Sequence, residues 1–138
     1  MGAPDYPPRF DEDLVRPFYD GLAAGELRLP HCARCGTVHW YPPEVLPCHP
    51  DAAPEWRTVS GEGVVYSFTT IVRSLLPGDD NTTTPYEVVL VEPDAAPGSR
   101  IVALLCDGDG RSPACGLRVQ LSPVRAGDHF LPGFRPLP

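Results

Sequence analysis

Three cysteines stand at a spacing that metal chemistry can use: Cys32-x2-Cys35-x12-Cys48. A tight turn across a CxxC pair, often completed by a glycine such as Gly36, aims both sulfurs to one side. Two such knuckles close a tetrahedral zinc site. A second CxxC would end at position 51, and that residue is Asp51. Zinc accepts a carboxylate oxygen, so the metal set read from the spacing is Cys32, Cys35, Cys48 and Asp51. His49, His31 and His39 are further candidates for the fourth corner, although residues adjacent in sequence, such as Cys48 and His49, seldom point at one metal together. The bland alternative is a knuckle that has lost its metal and persists as a hydrogen-bonded apolar plug. A redox role for the CxxC would need a βαβ setting, and the flanking sequence shows none.

Other reactive residues are scattered. Cys106 and Cys115 sit in the second half of the chain and read first as buried core thiols. A nucleophilic thiol needs a base, and His129 is the histidine available in that half. No P-loop, dinucleotide fingerprint, HExxH or GxSxG is present. Gly61-Glu62-Gly63 and Gly108-Asp109-Gly110 read as turns or bulges, and Asp79-Asp80 as solvated loop charge. Trp40 and Tyr41 beside the knuckle are of a kind that packs a small ribbon or stacks on a base. Arg73, Arg100, Arg118, Arg125 and Arg135 are isolated and suit single phosphate contacts at most. Asn81-Thr82-Thr83 has the form of a glycosylation sequon and reads as loop.

These residues need elements to hold them. Residues 11–24 carry Leu14, Phe18 and Leu22 at helical spacing, with Asp11 as N-cap, Pro17 suited to the first turn of a second short helix, and Gly25 as terminator. One helix or a kinked pair is expected, after a Pro-rich start over residues 1–10. Residues 26–29 alternate and lead as a short strand into the knuckle, and Trp56 closes that module. Beyond it the period changes to two. Residues 61–73, 86–91, 99–105, 117–122 and a last extended piece near 130–134 are five short strands separated by turn signals, which fits a small Greek-key barrel such as the OB-fold. The organisation expected is therefore a helical segment over 1–25, a ribbon over 26–56 and a barrel over 57–138, mainly β throughout.

Composition sets the outer bounds. A chain of 138 residues supports one domain or one domain with a short appendage. Its 19 prolines and 13 glycines argue against long helices. The 18 acidic residues outnumber the 11 basic ones, all of them Arg, for a net charge of -7. Without lysine, Schiff-base chemistry is excluded, and without a basic stripe a long nucleic-acid backbone is repelled. No apolar run approaches the length of a membrane span, and no apolar segment follows a basic start, so a soluble, cytoplasmic protein is expected. An odd count of five cysteines suits metal binding or structural thiols in a reducing compartment.

The order of these pieces resembles a known family, the zinc-ribbon/OB-fold proteins that accompany thiolase-like enzymes, formerly a domain of unknown function. The resemblance is carried by Phe18-Tyr19-Asp20-Gly21-Leu22, Gly25-Glu26-Leu27, His31-Cys32-Ala33-Arg34-Cys35-Gly36, Tyr41-Pro42-Pro43, Pro47-Cys48 and Glu55-Trp56. Ser60-Gly61-Glu62-Gly63 with Val64-Val65-Tyr66, then Pro85-Tyr86, Gly116-Leu117-Arg118-Val119 and Phe134-Arg135-Pro136, continue it to the end of the chain. Asp51 is the departure, since the family usually has its fourth cysteine there. The resemblance implies a helical hairpin, a rubredoxin-like ribbon, a C-terminal OB barrel, zinc, and a hetero-oligomer with a thiolase-like subunit. It also implies a non-catalytic role that supports the partner's active site on an acyl-CoA substrate, in a steroid side-chain aldolase or an acyl-transfer or condensing enzyme. The competing reading is an OB-fold binder of single-stranded nucleic acid, which the acidic balance disfavours. A stand-alone enzyme using Cys106 or Cys115 with His129 is the third.

Overall fold

The computed structural model describes residues 9, 11–82, 84–106 and 113–138. The expected Pro-rich start, the Gly108-Asp109-Gly110 turn and Thr83 of the sequon lie outside the described residues. The first element is helix α1, Arg16–Ala23, shorter than the pattern of residues 11–24 suggests. Its N-cap is Val15 rather than Asp11, with no side-chain cap. A helix running from residue 11 would need an N–H at position 17, and proline has none. The chain instead turns before α1, with the Glu12 carbonyl taking the N–H groups of Val15 and Arg16 at 3.0 and 2.8 Å. Of the two alternatives, helix or hairpin, a single helix is found among the described residues. At its far end Gly25 has φ +74. Gly25 donates to Leu22 at 3.0 Å and Glu26 to Gly21 at 2.8 Å, the paired bonds of a Schellman stop.

Strand β1, Leu27–Cys32, pairs antiparallel with β2, Pro54–Val59, in register from Leu27 opposite Val59 to Cys32 opposite Pro54. Trp56 thus stands inside a strand, and the knuckle residues form the long connection of this hairpin. The barrel follows. Strands β3 (Glu62–Ile71), β4 (Tyr86–Pro93), β5 (Ile101–Leu105), β6 (Arg118–Leu121), β7 (Val124–Ala126), β8 (His129–Leu131) and β9 (Gly133–Pro136) complete the element order. Five of them close in the order β3-β4-β5-β9-β6, with β5 and β9 parallel and the other pairs antiparallel. The extended piece expected near residues 130–134 is two strands in two sheets, because Pro132 interrupts it. The β8 part pairs with β7 in a separate hairpin, and β9 enters the barrel.

Val65, Val89, Val91, Ala103, Val119 and Phe134 fill the barrel. A second cluster joins Phe18 and Leu22 of α1 to Leu27 and Leu29 of β1 and to Ala96 and Ile101 beside and in the barrel wall. The helix is therefore a wedge between ribbon and barrel. Among the described residues no helix is long and apolar enough to cross a membrane.

Closure of the barrel demands close backbone approach at Gly133. A Cβ built there would lie 2.5 Å from the Ser122 carbonyl and 2.7 Å from Val124. Because the obstacle is backbone, Gly133→Ala is expected to cost about 1–3 kcal/mol through overpacking at the β6–β9 seam. Urea unfolding checks this, and a variant as stable as the parent would show that the seam can yield.

Candidate metal centre

Cys32 ends β1 and is fully buried, while Cys35 is exposed across the turn. The turn is held by Gly36 N–H donating to the Cys32 carbonyl at 2.8 Å and Cys32 N–H to Thr37 at 2.9 Å. Gly36 has φ +77, a conformation that a side chain resists. Cys48 and His49 arrive from the other side of the connection, where Ala52 N–H bonds the His49 carbonyl at 2.9 Å. One donor atom each from Cys32, Cys35, Cys48 and His49 lies within 4.8 Å of all the others.

Two edges of this group are informative. Cys35 Sγ and Cys48 Sγ are 3.6 Å apart, and so are Cys32 Sγ and His49 Nδ1. Around a tetrahedral zinc with bonds of about 2.3 Å to sulfur and about 2.0 Å to nitrogen, two sulfurs sit about 3.8 Å apart and a sulfur and nitrogen about 3.6 Å. Two of the six edges thus stand near the lengths of a zinc tetrahedron and the rest are within 4.8 Å, and three thiolates with an imidazole are a donor set that zinc takes.

Asp51 is not in the group. Its carboxylate meets the Arg34 guanidinium at 2.8 Å, on the exposed side of the knuckle. His31 is also elsewhere, with Nδ1 against the Leu29 carbonyl at 2.9 Å. His39 likewise stands outside the group. The adjacency of Cys48 and His49 counts against His49 in the sequence, yet in the fold their donor atoms converge.

The electrostatics of the thiols are asymmetric. The hydroxyl and the backbone N–H of Thr37 draw the Cys35 thiol down to about 6, while desolvation and then the neighbouring sulfurs push Cys48 up to about 11. One thiolate forms readily and the last is resisted by desolvation first and by its neighbouring thiols second, a cost that a bound dication offsets.

The remaining candidates have ordinary settings. Trp40 packs on Phe18 with ring centroids 4.6 Å apart, and Tyr41 is exposed. Cys115 is exposed in the turn before β6, and Cys106 Sγ lies 3.8 Å from the carbonyl oxygens of Leu104 and Ser122. His129 Nδ1 is 3.5 Å from the Asp128 carboxylate. Arg118 grips Asp94 with two bonds of 2.7 and 2.6 Å, which hold that carboxyl below its usual range. Arg100 lies over the Tyr66 ring, 3.7 Å from its centroid.

Comparisons with known proteins agree with this architecture. The family model of the ChsH2 rubredoxin-like zinc ribbon domain matches residues 20–52, and that of the ChsH2 C-terminal OB-fold domain matches residues 56–123. Among solved structures, a chain of the Ltp2-ChsH2(DUF35) aldolase is similar with a TM-score of 0.78 at 24% identity, over 95% of this chain and 98% of that one. A DUF35-family protein of unknown function from Sulfolobus solfataricus is similar with a TM-score of 0.62 at 13% identity, over 94% of this chain and 90% of that one. At these identities the likeness is one of fold. No curated protein matches the sequence significantly.

Proposed function

We propose, because this chain belongs to the ChsH2 family of a rubredoxin-like zinc ribbon joined to an OB-fold barrel, that it is the accessory subunit of a thiolase-superfamily acyl-CoA enzyme. Within that class the aldolase setting is preferred over acyl transfer. The observation that carries this reading is the end-to-end likeness to a chain of a two-component aldolase. In this reading zinc on Cys32, Cys35, Cys48 and His49 would brace the ribbon as a rigid unit, and the barrel meets the partner. Zinc would supply cross-linking of the knuckles there, since four protein donors leave no open position for substrate.

The chemistry is assigned to the partner. Among the described residues the ribbon is the one cluster of three or more His, Cys, Asp or Glu donors, and a closed ribbon site does not activate water. Cleavage of a β-hydroxyacyl thioester needs a base for the hydroxyl proton and a cradle for the thioester oxygen as the Cα–Cβ bond breaks. Both roles fall to the thiolase-like subunit, with acyl-CoA bound at or near the shared interface.

The test is co-expression with the thiolase-like proteins of the same source organism. This chain is expected to co-purify with one of them, and β-hydroxyacyl-CoA cleavage is expected with the pair and not with this chain alone. Full activity of the isolated chain, or the absence of any complex, would overturn the reading.

A further inference from the structure

The connection between β3 and β4 does something unusual with its apolar residues. Leu75 is 87% exposed, Val72 74% and Leu76 49%. An exposed leucine on a slack loop would mean little, but this loop is built. Asn81, in the left-handed region at φ 60, accepts the Ser74 N–H with its side-chain oxygen at 2.5 Å and donates to the Ser74 carbonyl at 3.4 Å. Ser74 is itself buried, and its hydroxyl takes the Leu76 N–H at 3.2 Å. Pro77 and Gly78 then make a tight turn, with Gly78 at φ +81 and Asp79 N–H on the Leu76 carbonyl at 3.1 Å. The leucines are presented by a frame that closes on itself, so little ordering remains to be done on binding.

The same hairpin carries a second apolar surface. Strand β4 reads Val88-Val89-Leu90-Val91, apolar on both faces. Val89 and Val91 are fully buried in the barrel. Val88 and Leu90 face outward and line a shallow groove with Ser67, Thr69 and Val102, the last of these 59% exposed. An antiparallel strand with one solvated face normally alternates. A strand apolar on both sides suits a sheet that is covered on both.

We propose that the β3–β4 hairpin is the arm by which this chain grips the thiolase-like subunit: Leu75 and Leu76 enter an apolar cleft rimmed by basic side chains, and the Leu90–Val102 surface is covered beside it. This rests on the accessory-subunit reading and names the contact it requires. Charge selects the occupant. Asp79 and Asp80 follow the leucines, accepting the N–H groups of Asn81 and Thr82, and outnumber the exposed Arg73 that precedes them, while the whole chain carries a net charge of -7. A second copy would bring the same carboxylates against these. A basic rim would satisfy them.

The experiment titrates a thiolase-like protein from the same source organism with the parent chain, with Leu75→Ser/Leu76→Ser, and with Val45→Ser on the ribbon as control, by calorimetry. Val45 is as exposed as Val102, at 58%, but lies on another surface. The double variant should bind roughly 30-fold more weakly or worse, while Val45→Ser binds as the parent does. Its zinc content and melting temperature should match the parent, which separates lost contact from lost fold. A parent that binds and a double variant that binds equally well overturns the arm and leaves the subunit reading standing. A parent that does not bind removes both. A parent that sediments as a dimer, made monomeric by the double variant, assigns the face to a second copy and overturns the proposal.

Discussion

Replacing Cys32 by serine is expected to empty the ribbon of metal. The parent should hold about one zinc per chain, and the variant should retain less than about a tenth of that after dialysis. The reason is position as well as chemistry. Cys32 is fully buried at the end of β1, with its sulfur 3.6 Å from His49 Nδ1, so no outside ligand can take its place. A structural zinc contributes roughly 10–16 kcal/mol of apparent binding free energy at neutral pH, far more than the knuckle's few backbone bonds supply. The ribbon should therefore melt before the barrel, whose core of Val65, Val89, Val91, Ala103, Val119 and Phe134 does not involve it. Two companion variants identify the fourth ligand. His49→Ala should weaken zinc binding by about 100-fold or more. Asp51→Ala should leave it unchanged, since it breaks an exposed pair with Arg34 worth about 0–1 kcal/mol. Metal analysis with a chromophoric chelator decides between them. Loss of zinc from Asp51→Ala with retention by His49→Ala would return Asp51 to the site and refute the three-thiolate, one-imidazole set.

That contrast marks where the sequence stops being readable. The spacing of Cys32, Cys35 and Cys48 announces a knuckle because a CxxC turn has few ways to fold. The fourth corner is decided by how the chain enters the turn after Pro47, which no spacing rule contains. The barrel strands are legible because Val119 sits on an alternating pattern, while Val65 and Val91 lie in short β-branched apolar runs bounded by turn signals. Strand β7 escapes such a pattern, being three residues long, and Pro132 splits what looks like one strand into β8 and β9. The exposure of Leu75 is not legible at all. In sequence it is one more apolar residue, and only the Ser74–Asn81 frame shows that it is held away from the core. The reason is general: local pattern reports which residues want burial, and tertiary closure decides which of them get it.

Phe18 is the largest side chain of the buried cluster at the join between ribbon and barrel. It is 2% exposed and belongs to the cluster that spans both partners of the wedge, with Trp40 of the ribbon 4.6 Å away by ring centroid and Leu22, Leu27, Leu29 and Ile101 in the same cluster. Phe18→Ala is expected to cost about 3–5 kcal/mol, because the cavity lies between three elements that cannot all collapse into it. Against a total stability of roughly 5–15 kcal/mol for a domain, this loss is large enough to leave a population with the ribbon undocked. The undocked state has a signature: Trp40, already without the Phe18 ring in this variant, also leaves its fixed environment beside the helix, so its near-ultraviolet signal should fade below the denaturant concentration at which the barrel unfolds. Tyr41→Ala provides the contrast, since Tyr41 is 61% exposed and its removal should change stability by less than about 0.5 kcal/mol. A single unfolding transition for Phe18→Ala, shifted by less than about 1 kcal/mol, would mean that the helix is not the wedge and that ribbon and barrel are held together by the chain alone. If the ribbon does undock, binding of the thiolase-like subunit should survive in proportion to how far the β3–β4 arm works without it, since that arm is built wholly from the barrel.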